Sequence, residues 1–428
     1  MSKTISFHTL GCRSNQSETA VLKNLFSKDG YKIVKPDTAA DVAVINTCTV
    51  TEKGDSDTRK LVSRINRTNP SVKIALIGCQ AQTQGQELSI LPNVRWIVGN
   101  AEKMSLVNLI HQIEEDELVK IITPPIKQES FTVPAPGIDD ERTRANIKIQ
   151  EGCDSFCTFC EVPYARGQAR SREFEDILKE AKELVDAGYK ELVLTGTNIG
   201  VYHDKSRGLV DVVTALEKYS ALERIRVSSI EPNAIPYDLA LLMGTKTKLC
   251  RHLHLPLQSA SDEIIERMGR RYTQKELSLF LKFASKNIQG VCLGADIIVG
   301  FPGETERHFE ETYMFLEDSP LVYFHTFSYS NRKFAKSRKL GAQVDKTIIA
   351  RRSKSLRNLG SEKKKAFLKQ FVGTYQKVLF EERKEGAWSG LTDNYLRVQT
   401  HSSQNLRNRV ISVTITEIKN DILLGEMQ

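Results

Sequence analysis

The sequence predicts an α/β protein of three parts: an N-terminal open parallel α/β sheet, a central partial (β/α) barrel and a C-terminal small β-barrel. Apolar strand-like runs alternate with helical stretches along most of the 428 residues, as is typical of parallel α/β proteins. A proline-rich segment interrupts this alternation near residues 122 to 140, and the last roughly 60 residues alternate apolar and polar side chains as strands do.

The first predicted part comprises residues 1–122. Three apolar runs, TISFHTLGC, DVAVINTC and VKIALIGC, alternate with the helical stretches SETAVLKNLFSKDG and TRKLVSRINRT. Because strand and helix follow each other in turn, we expect parallel strands joined by helical crossovers.

The second predicted part comprises residues 140–366 and follows a linker, TPPIKQESFTVPAPGIDDE, in which four prolines suppress helix and strand alike. Six strand-like runs alternate with helical segments such as SREFEDILKEAKELVDAG. The six runs are ANIKIQ, ELVLTG, RIRVSS, HLHLPLQ, GADIIVGF and VYFHTFSYS. This pattern indicates a (β/α) barrel or a portion of one.

The third predicted part comprises residues 371–428. The runs TYQKVLFEE, NYLRVQTHS and RVISVTITEI alternate as strands, whereas residues 341–369 before them are good helix formers. We expect a small β-barrel preceded by a helix. Tyr375, Trp388 and Tyr395 are either core residues of this barrel or exposed aromatics able to stack on bases.

Composition excludes several classes of protein. With 40% apolar and 27% charged residues the chain can bury a sizeable core, so a disordered protein is excluded. The absence of a long apolar run or a signal pattern predicts a cytoplasmic protein without a membrane span. Residues 331–370 hold 14 Lys and Arg against Asp345 and Glu362, an excess of 14 − 2 = +12. Such a stretch is either a solvated helix face or a site for a polyanion.

Cys153, Cys157 and Cys160 form the spacing C-x3-C-x2-C directly after the strand-like run IKIQ. Three thiolates in one loop can bind three irons of a 4Fe-4S cluster and leave the fourth iron open. Zinc is less suited, since it takes four ligands and no second Cys or His pair is adjacent. The open iron can chelate S-adenosylmethionine (SAM), which one-electron reduction cleaves to the 5′-deoxyadenosyl radical. The motif therefore predicts radical-SAM chemistry.

Three further cysteines, Cys12, Cys48 and Cys79, each stand just past the end of an apolar run of the N-terminal part. Because parallel strands end at one edge of their sheet, these thiols are expected to meet there and to bind a second cluster. A single cysteine in such a place is more often a small buried residue. The remaining Cys250 and Cys292 have no companions and are interpreted as packing residues.

With both cysteine sets in place, the chain resembles the methylthiotransferase family of radical-SAM enzymes over essentially its whole length. The segments that carry the resemblance are GCRSNQSE, NTCTVT, GCQAQ, IKIQEGCDSFCTFCEVPYARG with RSR, and FVGTYQKVLFEE with DILLGEM, the last two being similar to the family's RNA-binding TRAM barrel. LTGTNIGVY, RVSSIEP, HLHLPLQS and GFPGET look most similar to the branch that acts on N6-threonylcarbamoyladenosine (t6A) in tRNA.

The resemblance implies two 4Fe-4S clusters, one that binds SAM and an auxiliary one that delivers sulfur. Their ligands would be, in that order, Cys153, Cys157, Cys160 and Cys12, Cys48, Cys79. The expected reaction is methylthiolation of t6A at position 37, in the anticodon stem-loop of tRNA, with one SAM as methyl donor and a second as radical source. No side chain is predicted to act as an acid-base catalyst, because a radical is the plausible route to an unactivated aromatic C–H bond.

The predicted SAM contacts lie in the cluster loop and at the ends of barrel strands. Phe159 is expected near the adenine, Gly196 and Thr197 near the methionyl amine, and Ser229 and Glu231 near the ribose.

Other positions bear on substrate choice. Arg166, Arg170 and Arg172 could meet a carboxylate or phosphate by paired hydrogen bonds, or could form an ordinary surface. Ala260 stands where the family has glycine after Q-S, and NRKFAKS at 331–337 replaces a more usual P-R-x-G-T-x-A.

Two alternatives to the t6A reaction remain open at this point. The same chemistry could act on isopentenyladenosine-37 of tRNA or on a ribosomal-protein aspartate, or the chain could be a non-catalytic iron-sulfur RNA-binding or sensor protein. The complete three-cysteine loop within a barrel argues against the sensor. We expect a monomer. The sulfur donor, the electron donor and the set of tRNAs are not identified by the sequence.

Overall fold

The structure is a computed structural model that describes residues 3–36, 38–112 and 118–427. These residues form a six-stranded parallel sheet, two three-stranded parallel sheets that make a partial barrel, and a closed five-stranded barrel. The predicted fold class is therefore confirmed. Within the described ranges, no helix has the length and apolar character needed to cross a bilayer.

The N-terminal sheet has the strand order β2-β1-β3-β4-β5-β6, and every pair of neighbours is parallel. Its strands are β1 Thr4–Thr9, β2 Lys32–Val34, β3 Val42–Thr47, β4 Lys73–Gly78, β5 Val94–Val98 and β6 Lys120–Ile122. Its helices are α1 Arg13–Lys28, α2 Glu52–Thr68, α3 Cys79–Leu88 and α4 Leu106–Gln112. Both faces of the sheet are buried, which explains why the strands are continuously apolar.

The segment between β6 and the next strand contains neither helix nor strand, as its prolines predict. It is nevertheless held in place. Asn24 of α1 donates a hydrogen bond to the Pro136 carbonyl at 3.1 Å, and the Gly137 N–H donates to Glu180 at 2.8 Å. The linker thus ties the N-terminal sheet to the central barrel.

The central barrel is open, with strands in the order β7-β10-β13 and β14-β15-β16. The two sheets meet where Ile225 and Leu249 form a single bridge. The main strands are β7 Arg144–Lys148, β10 Glu191–Thr195, β13 Arg224–Val227, β14 His252–Gln258, β15 Cys292–Val299 and β16 Tyr323–Ser328. Short strands lie in the connections: β8 Gln150–Glu151, β9 Arg170–Ser171, β11 His203–Asp204 and β12 Arg207–Gly208.

The helices of the central part are α5 Val162–Arg166, α6 Phe174–Asp186, α7 Leu209–Leu216, α8 Tyr237–Met243, α9 Asp262–Arg267, α10 Gln274–Asn287, α11 Glu306–Asp318 and α12 Lys346–Lys369. Helix α5 packs against α3, and the other helices cover the outer face of the barrel and bury the largest core cluster among the described residues against the strands. Helix α10 begins at a capping box formed by Thr273 and Glu276. Helix α12 confirms the helix predicted over the basic segment.

The C-terminal barrel closes in the order β17-β18-β19-β21-β20. Its strands are β17 Tyr375–Lys384, β18 Ala387–Thr392, β19 Arg397–His401, β20 Val410–Lys419 and β21 Ile422–Met427. Trp388 belongs to its core, whereas the Tyr375 side chain is 65% exposed. Closure leaves no unpaired sheet edge.

The C-terminal barrel covers the amino ends of the central strands. Arg224 donates to the Leu391 carbonyl at 2.8 Å, and Arg226 donates to the Asp393 carbonyl at 2.9 Å. Arg251 forms an ion pair with the Asp393 carboxylate at 2.6 Å. These contacts leave the opposite end of the central barrel, where the strands finish, free to form a site.

Candidate active site

The loop that carries Cys153, Cys157 and Cys160 follows β7 and β8. Its backbone turns at Gly152, whose φ of +75° is readily adopted only by glycine. A Cβ atom at Gly152 would press on the carbonyl oxygen of Gln168, across the loop. The turn therefore requires glycine and folds the cysteine segment back on itself.

Backbone N–H groups point at two sulfurs of this loop. The N–H of Ser155 donates to Cys153 Sγ at 3.4 Å, and the N–H of Val162 donates to Cys160 Sγ at 3.4 Å. Burial raises the pKa of the Cys160 thiol to about 12, and the nearby Cys157 and Cys153 add to the rise. Hydrogen bonds from the backbone stabilise the anionic form of a sulfur, which is the form that binds a metal.

The third sulfur of the loop, Cys157 Sγ, lies 3.7 Å from Nη1 of Arg270. Burial raises the pKa of Cys157, while Arg270 opposes that rise. The same nitrogen of Arg270 donates to Glu231 at 3.2 Å. Arg270 thus links the cysteine loop to the end of β13.

Cys12, Cys48 and Cys79 follow β1, β3 and β4, which are neighbours in the sheet. Their strands end at one edge, as predicted. Gly11, at φ +88°, brings the first loop against the second, because a Cβ atom there would lie 2.7 Å from Cys48 Cβ and 2.8 Å from its Sγ. The loops that carry Cys12 and Cys48 can approach this closely because glycine has no side chain.

The surroundings of these thiols resemble those of the first set. Burial raises the pKa of Cys48 to about 12, and Cys79 and Cys12 add to this rise. Burial also raises the pKa of Cys79, and the guanidinium of Arg166 opposes it. Asn100 Nδ2 lies 3.7 Å from Cys79 Sγ and donates to it. The three thiols are close enough to influence one another's charge.

Residues next to the two cysteine sets bind each other. The hydroxyl of Thr49, which follows Cys48, donates to the carboxylate of Glu161, which follows Cys160, at 3.1 Å. Arg332 donates to Thr49 at 2.8 Å and to Glu161 at 3.1 Å, and it is only 4% exposed. The two sets are thereby held across the contact between the N-terminal sheet and the central barrel.

Helix α5 makes a second connection between the sets. It begins two residues after Cys160 and packs against α3, whose first residue is Cys79. Asn100, which donates to Cys79, also donates to the Ala165 carbonyl of α5 at 2.6 Å. Sequence periodicity gave no sign of this five-residue helix or of its role.

A buried cluster of charges lies beside α5. Glu18 of α1 accepts from Lys103 at 2.6 Å, from Lys148 of β7 at 2.9 Å and from Arg166 of α5 at 2.9 Å. Burial tends to raise the pKa of Glu18, but Arg166, Lys103 and Lys148 hold it well below its usual range. The cluster fixes the N-terminal sheet against the barrel close to both cysteine sets.

The three arginines that were expected at a substrate or at the surface are all paired within the protein. Arg166 bonds Glu151 at 2.6 Å, Arg170 bonds Glu151 at 2.9 Å, and Arg172 bonds Asp176 at 2.6 Å. Arg166 and Arg172 are 3% and 1% exposed. Arg166 and Arg172 are therefore neither surface residues nor free to bind a substrate, because protein carboxylates are their partners. Arg170 is partly exposed and lines a cavity beside Cys153, so the expectation of a substrate contact stays a prediction for this residue alone.

Both cysteine sets fit iron-sulfur clusters. Each offers three thiols, so each would leave one iron of a 4Fe-4S cluster without a protein ligand. Backbone N–H donors and guanidinium groups stand beside the sulfurs, and such groups stabilise anionic clusters and adjust their reduction potential. The isolated Cys250 and Cys292 are 1% and 2% exposed, as expected for packing residues.

The five predicted SAM contacts lie at the carboxyl ends of the strands or in the cysteine loop. Phe159 packs on a small apolar cluster, and Glu231 is paired with Arg270. The N–H of Thr197 already donates to Gln150 at 3.0 Å. Gly196 and Ser229 follow β10 and β13, respectively. A separate cavity of about 540 Å³ beside Cys153 is lined by Asn198, Gly200, Asn233 and Arg271 among others, and by none of the five.

Sequence reasoning missed a polar cluster on the strands β14 to β16. Asp296 lies 3.0 Å from His254 Nε2 and 3.3 Å from His325 Nδ1. Burial opposes ionisation of Asp296, but hydrogen bonds from the two imidazoles lower its pKa to about 2. Their ligand atoms are close enough to share a cation, although the carboxylate is already satisfied by the imidazoles. Alternation in HLHL and in YFHTFS was a signal that polar side chains share one face.

Comparison with known families agrees with this geometry. Residues 147–316 match the Radical SAM superfamily, and residues 4–99 match the Uncharacterized protein family UPF0004. The solved structure of the radical SAM methyltransferase TsrM from Kitasatospora setae aligns with a TM-score of 0.57 and 14% identity over 76% of this chain and 73% of that one. The radical enzyme OxsB aligns with a TM-score of 0.54 and 15% identity over 85% and 56%. These structures share the fold.

Sequence relatives span nearly the whole chain. The threonylcarbamoyladenosine tRNA methylthiotransferase MtaB of Bacillus subtilis is 37% identical over 96% of this chain and 93% of its own length. The protein of the same description from Aquifex aeolicus is 38% identical over 92% and 96%. A tRNA-2-methylthio-N(6)-dimethylallyladenosine synthase of Ehrlichia ruminantium is 30% identical over 97% and 96%.

Proposed function

This chain belongs to the methylthiotransferase family of radical-SAM enzymes, and on that premise we propose that it converts t6A at position 37 of tRNA to 2-methylthio-t6A. The choice of t6A over isopentenyladenosine follows the relatives, since two relatives named for t6A are 37% and 38% identical, whereas those named for dimethylallyladenosine are 30% to 32% identical. A sensor protein without enzymatic activity does not accord with this membership.

In this proposal the three parts divide the work. Residues 1–122 hold an auxiliary 4Fe-4S cluster at Cys12, Cys48 and Cys79. Residues 140–366 hold the SAM-binding cluster in the loop after β7, and residues 371–428 bind RNA. The observation that carries the proposal is the hydrogen bond between Thr49 and Glu161, the residues next to Cys48 and Cys160, which supports a single site containing both cysteine sets.

The cofactors, when bound, supply a 5′-deoxyadenosyl radical, a methyl group and sulfur for the new carbon–sulfur bond. The chain itself positions these groups. Arg332 and Thr49 fix the spacing between the cysteine sets, and the Glu18 cluster prevents the N-terminal sheet from separating from the barrel. The C-terminal barrel is held against the amino end of the central barrel by hydrogen bonds such as that from Arg224 to the Leu391 carbonyl, which leaves the carboxyl ends of the strands for the cofactors.

The basic helix α12 is assigned to contact with the tRNA backbone. Part of its charge is used within the protein, since Arg352 bonds Glu304 at 2.6 Å and Lys363 donates to the Glu317 carbonyl at 2.7 Å. Lys354, Arg357 and Lys365 remain exposed on the helix. Exposed lysine and arginine neutralise phosphates and release counterions, so binding through this helix should weaken with salt. We assign the anticodon stem-loop as the bound region and a monomer as the active form.

The test is an anaerobic reaction with the reconstituted protein, dithionite, SAM and tRNA that carries t6A, followed by mass spectrometry of the digested nucleosides. We expect a nucleoside in which one SCH3 has replaced one H, and its loss in Cys157→Ala. The matched control is Cys292→Ala, which removes a packing thiol and should retain activity.

Other results would assign the activity differently. Formation of the 2-methylthio nucleoside on tRNA with isopentenyladenosine, but not on tRNA with t6A, would assign the chain to the isopentenyladenosine branch. Cleavage of SAM without product on either tRNA would point to another acceptor, such as a ribosomal-protein aspartate. No cleavage of SAM by a protein with full iron content would refute the enzymatic assignment.

A further inference from the structure

A cavity of about 400 Å³ opens where the three parts of the protein meet. Helix α1 contributes Arg13 and Gln16, the segment before β7 contributes Arg142 and Thr143, and β7 itself contributes Arg144 and Asn146. The C-terminal barrel contributes Glu381, Tyr395 and Arg397. The proposed function leaves this cavity without a role.

Guanidinium groups surround the ring of Tyr395, which lines the cavity. The guanidinium carbons of Arg13, Arg144 and Arg226 lie 5.8, 6.0 and 5.1 Å from the ring centroid. Burial tends to raise the pKa of the Tyr395 phenol, but these three cations bring it below its usual value. The wall of the cavity at Tyr395 therefore has a positive potential.

Carboxylates do not balance this charge. Glu191 forms an ion pair with Arg226 at 2.7 Å. Glu381 forms ion pairs with both Arg144 at 2.8 Å and Arg397 at 3.0 Å. Two carboxylates thus face four guanidinium groups once Arg13 is included.

Arg13 is the cation without a counter-ion. Its guanidinium donates to the hydroxyl of Tyr395 at 3.1 Å, and no carboxylate forms an ion pair with it among the residues that the structure describes. The other acidic residues that line the cavity form ion pairs with lysines: Glu141 lies 3.4 Å from Lys23, and Glu382 lies 2.8 Å from Lys384. A buried or half-buried cation is costly to keep without an anionic partner.

We propose that this cavity is an oxyanion site for the tRNA substrate, with Arg13 as its principal ligand. The proposal rests on the proposed function, which brings a nucleoside with a carboxylate to an anticodon loop rich in phosphates. Either oxyanion suits a guanidinium that can give two parallel hydrogen bonds.

The cavity extends from the auxiliary cysteine set towards the amino ends of the central strands. Arg13 directly follows Cys12, whereas Tyr395 stacks on His252, the first residue of β14, with ring centroids 4.5 Å apart. Arg13 is thus the residue of this cavity that can reach a group attached to the target base or beside it. The carboxylate of t6A would pair with Arg13, whereas an isopentenyl group would leave it unpaired. The site would then contribute to selection of t6A as well as to binding.

The experiment measures equilibrium affinity of the reconstituted protein for two anticodon stem-loops of one sequence, one with t6A and one with unmodified adenosine at position 37. Arg13→Gln removes the unpaired charge. Arg397→Gln tests the opposite wall, away from every cysteine. The matched control is Arg307→Gln on the outer helix α11, where the guanidinium is exposed and pairs with Glu263 and Glu311.

We expect Arg13→Gln to weaken binding of the t6A stem-loop by roughly tenfold or more, the usual effect of losing a charged hydrogen bond. Arg397→Gln should show a smaller loss and Arg307→Gln none. A loss confined to the t6A stem-loop identifies the carboxylate, and an equal loss on both stem-loops identifies a phosphate.

The oxyanion site is refuted if Arg13→Gln and Arg397→Gln both bind the two stem-loops as the unchanged protein does. Failure of the proposed function is distinguishable, since it is an absence of 2-methylthio product from a protein that binds the stem-loop. Because affinity is measured without turnover, the oxyanion site and the methylthiolation reaction are tested independently.

Discussion

Replacement of Glu18 by glutamine tests how the N-terminal sheet is attached to the central barrel. The change keeps the shape of a side chain that is 1% exposed but removes its charge. Lys103, Lys148 and Arg166 then share Glu151 as their remaining carboxylate, at 3.9, 2.9 and 2.6 Å. Loss of one partner from a buried ion pair costs about 3 to 5 kcal/mol.

The cost of Glu18→Gln should be near the lower end of this range. Burial already lowers the pKa of Lys103 to about 8, so this lysine can release its proton near neutral pH once Glu18 no longer holds it charged. We therefore expect a loss of about 3 kcal/mol in the free energy of unfolding of the N-terminal sheet at pH 7.

Urea denaturation monitored at Trp96, which lies in the N-terminal core, measures this loss. The matched control is Asp186→Asn, which removes the carboxylate of an exposed pair with Lys182 and should leave the midpoint unchanged. A midpoint for Glu18→Gln equal to that of Asp186→Asn would contradict the buried network.

Two further predictions concern pH and the cysteine loop. Burial, with Arg226 nearby, holds the pKa of His252 well below its usual range, so the folded protein keeps it neutral while the unfolded chain takes up a proton below pH ~6.5. The free energy of unfolding should fall by up to about 1.4 kcal/mol per pH unit below that point through this residue, and an unchanged slope in His252→Gln would contradict the assignment. Gly152→Ala should lose iron, because the new Cβ atom presses on the Gln168 carbonyl. The control is Gly188→Ala, which is also at positive φ but has no atom within 4 Å of the new Cβ, and it should retain iron. Equal iron content in the two variants would contradict the tight turn at Gly152.

Much of the fold could be predicted because local patterns determine it. Continuous apolar runs identified the buried parallel strands β1, β3 and β4, and alternation identified β17, β19 and β20. The position of Cys12, Cys48 and Cys79 just past their strands also followed from local pattern, since parallel strands end at a common edge.

The connections between the parts could not be predicted in this way. Lys148 binds Glu18 across 130 residues of sequence, and Arg332 binds Thr49 across 283. A charged side chain on an apolar element shows that it needs a partner, but periodicity does not say which distant residue provides it. The same reason explains why Arg166 was expected at a surface or substrate and is found in a buried network.

The most direct test of the two-cluster site is the iron content of reconstituted protein in which one or the other cysteine set is removed. We predict about eight iron atoms per chain in the unchanged protein and about four in either triple alanine variant, of Cys12, Cys48 and Cys79 or of Cys153, Cys157 and Cys160. The Cys250 and Cys292 double alanine variant should retain about eight. An unchanged protein with about four irons, all of them retained when Cys12, Cys48 and Cys79 are removed, would contradict the two-cluster site.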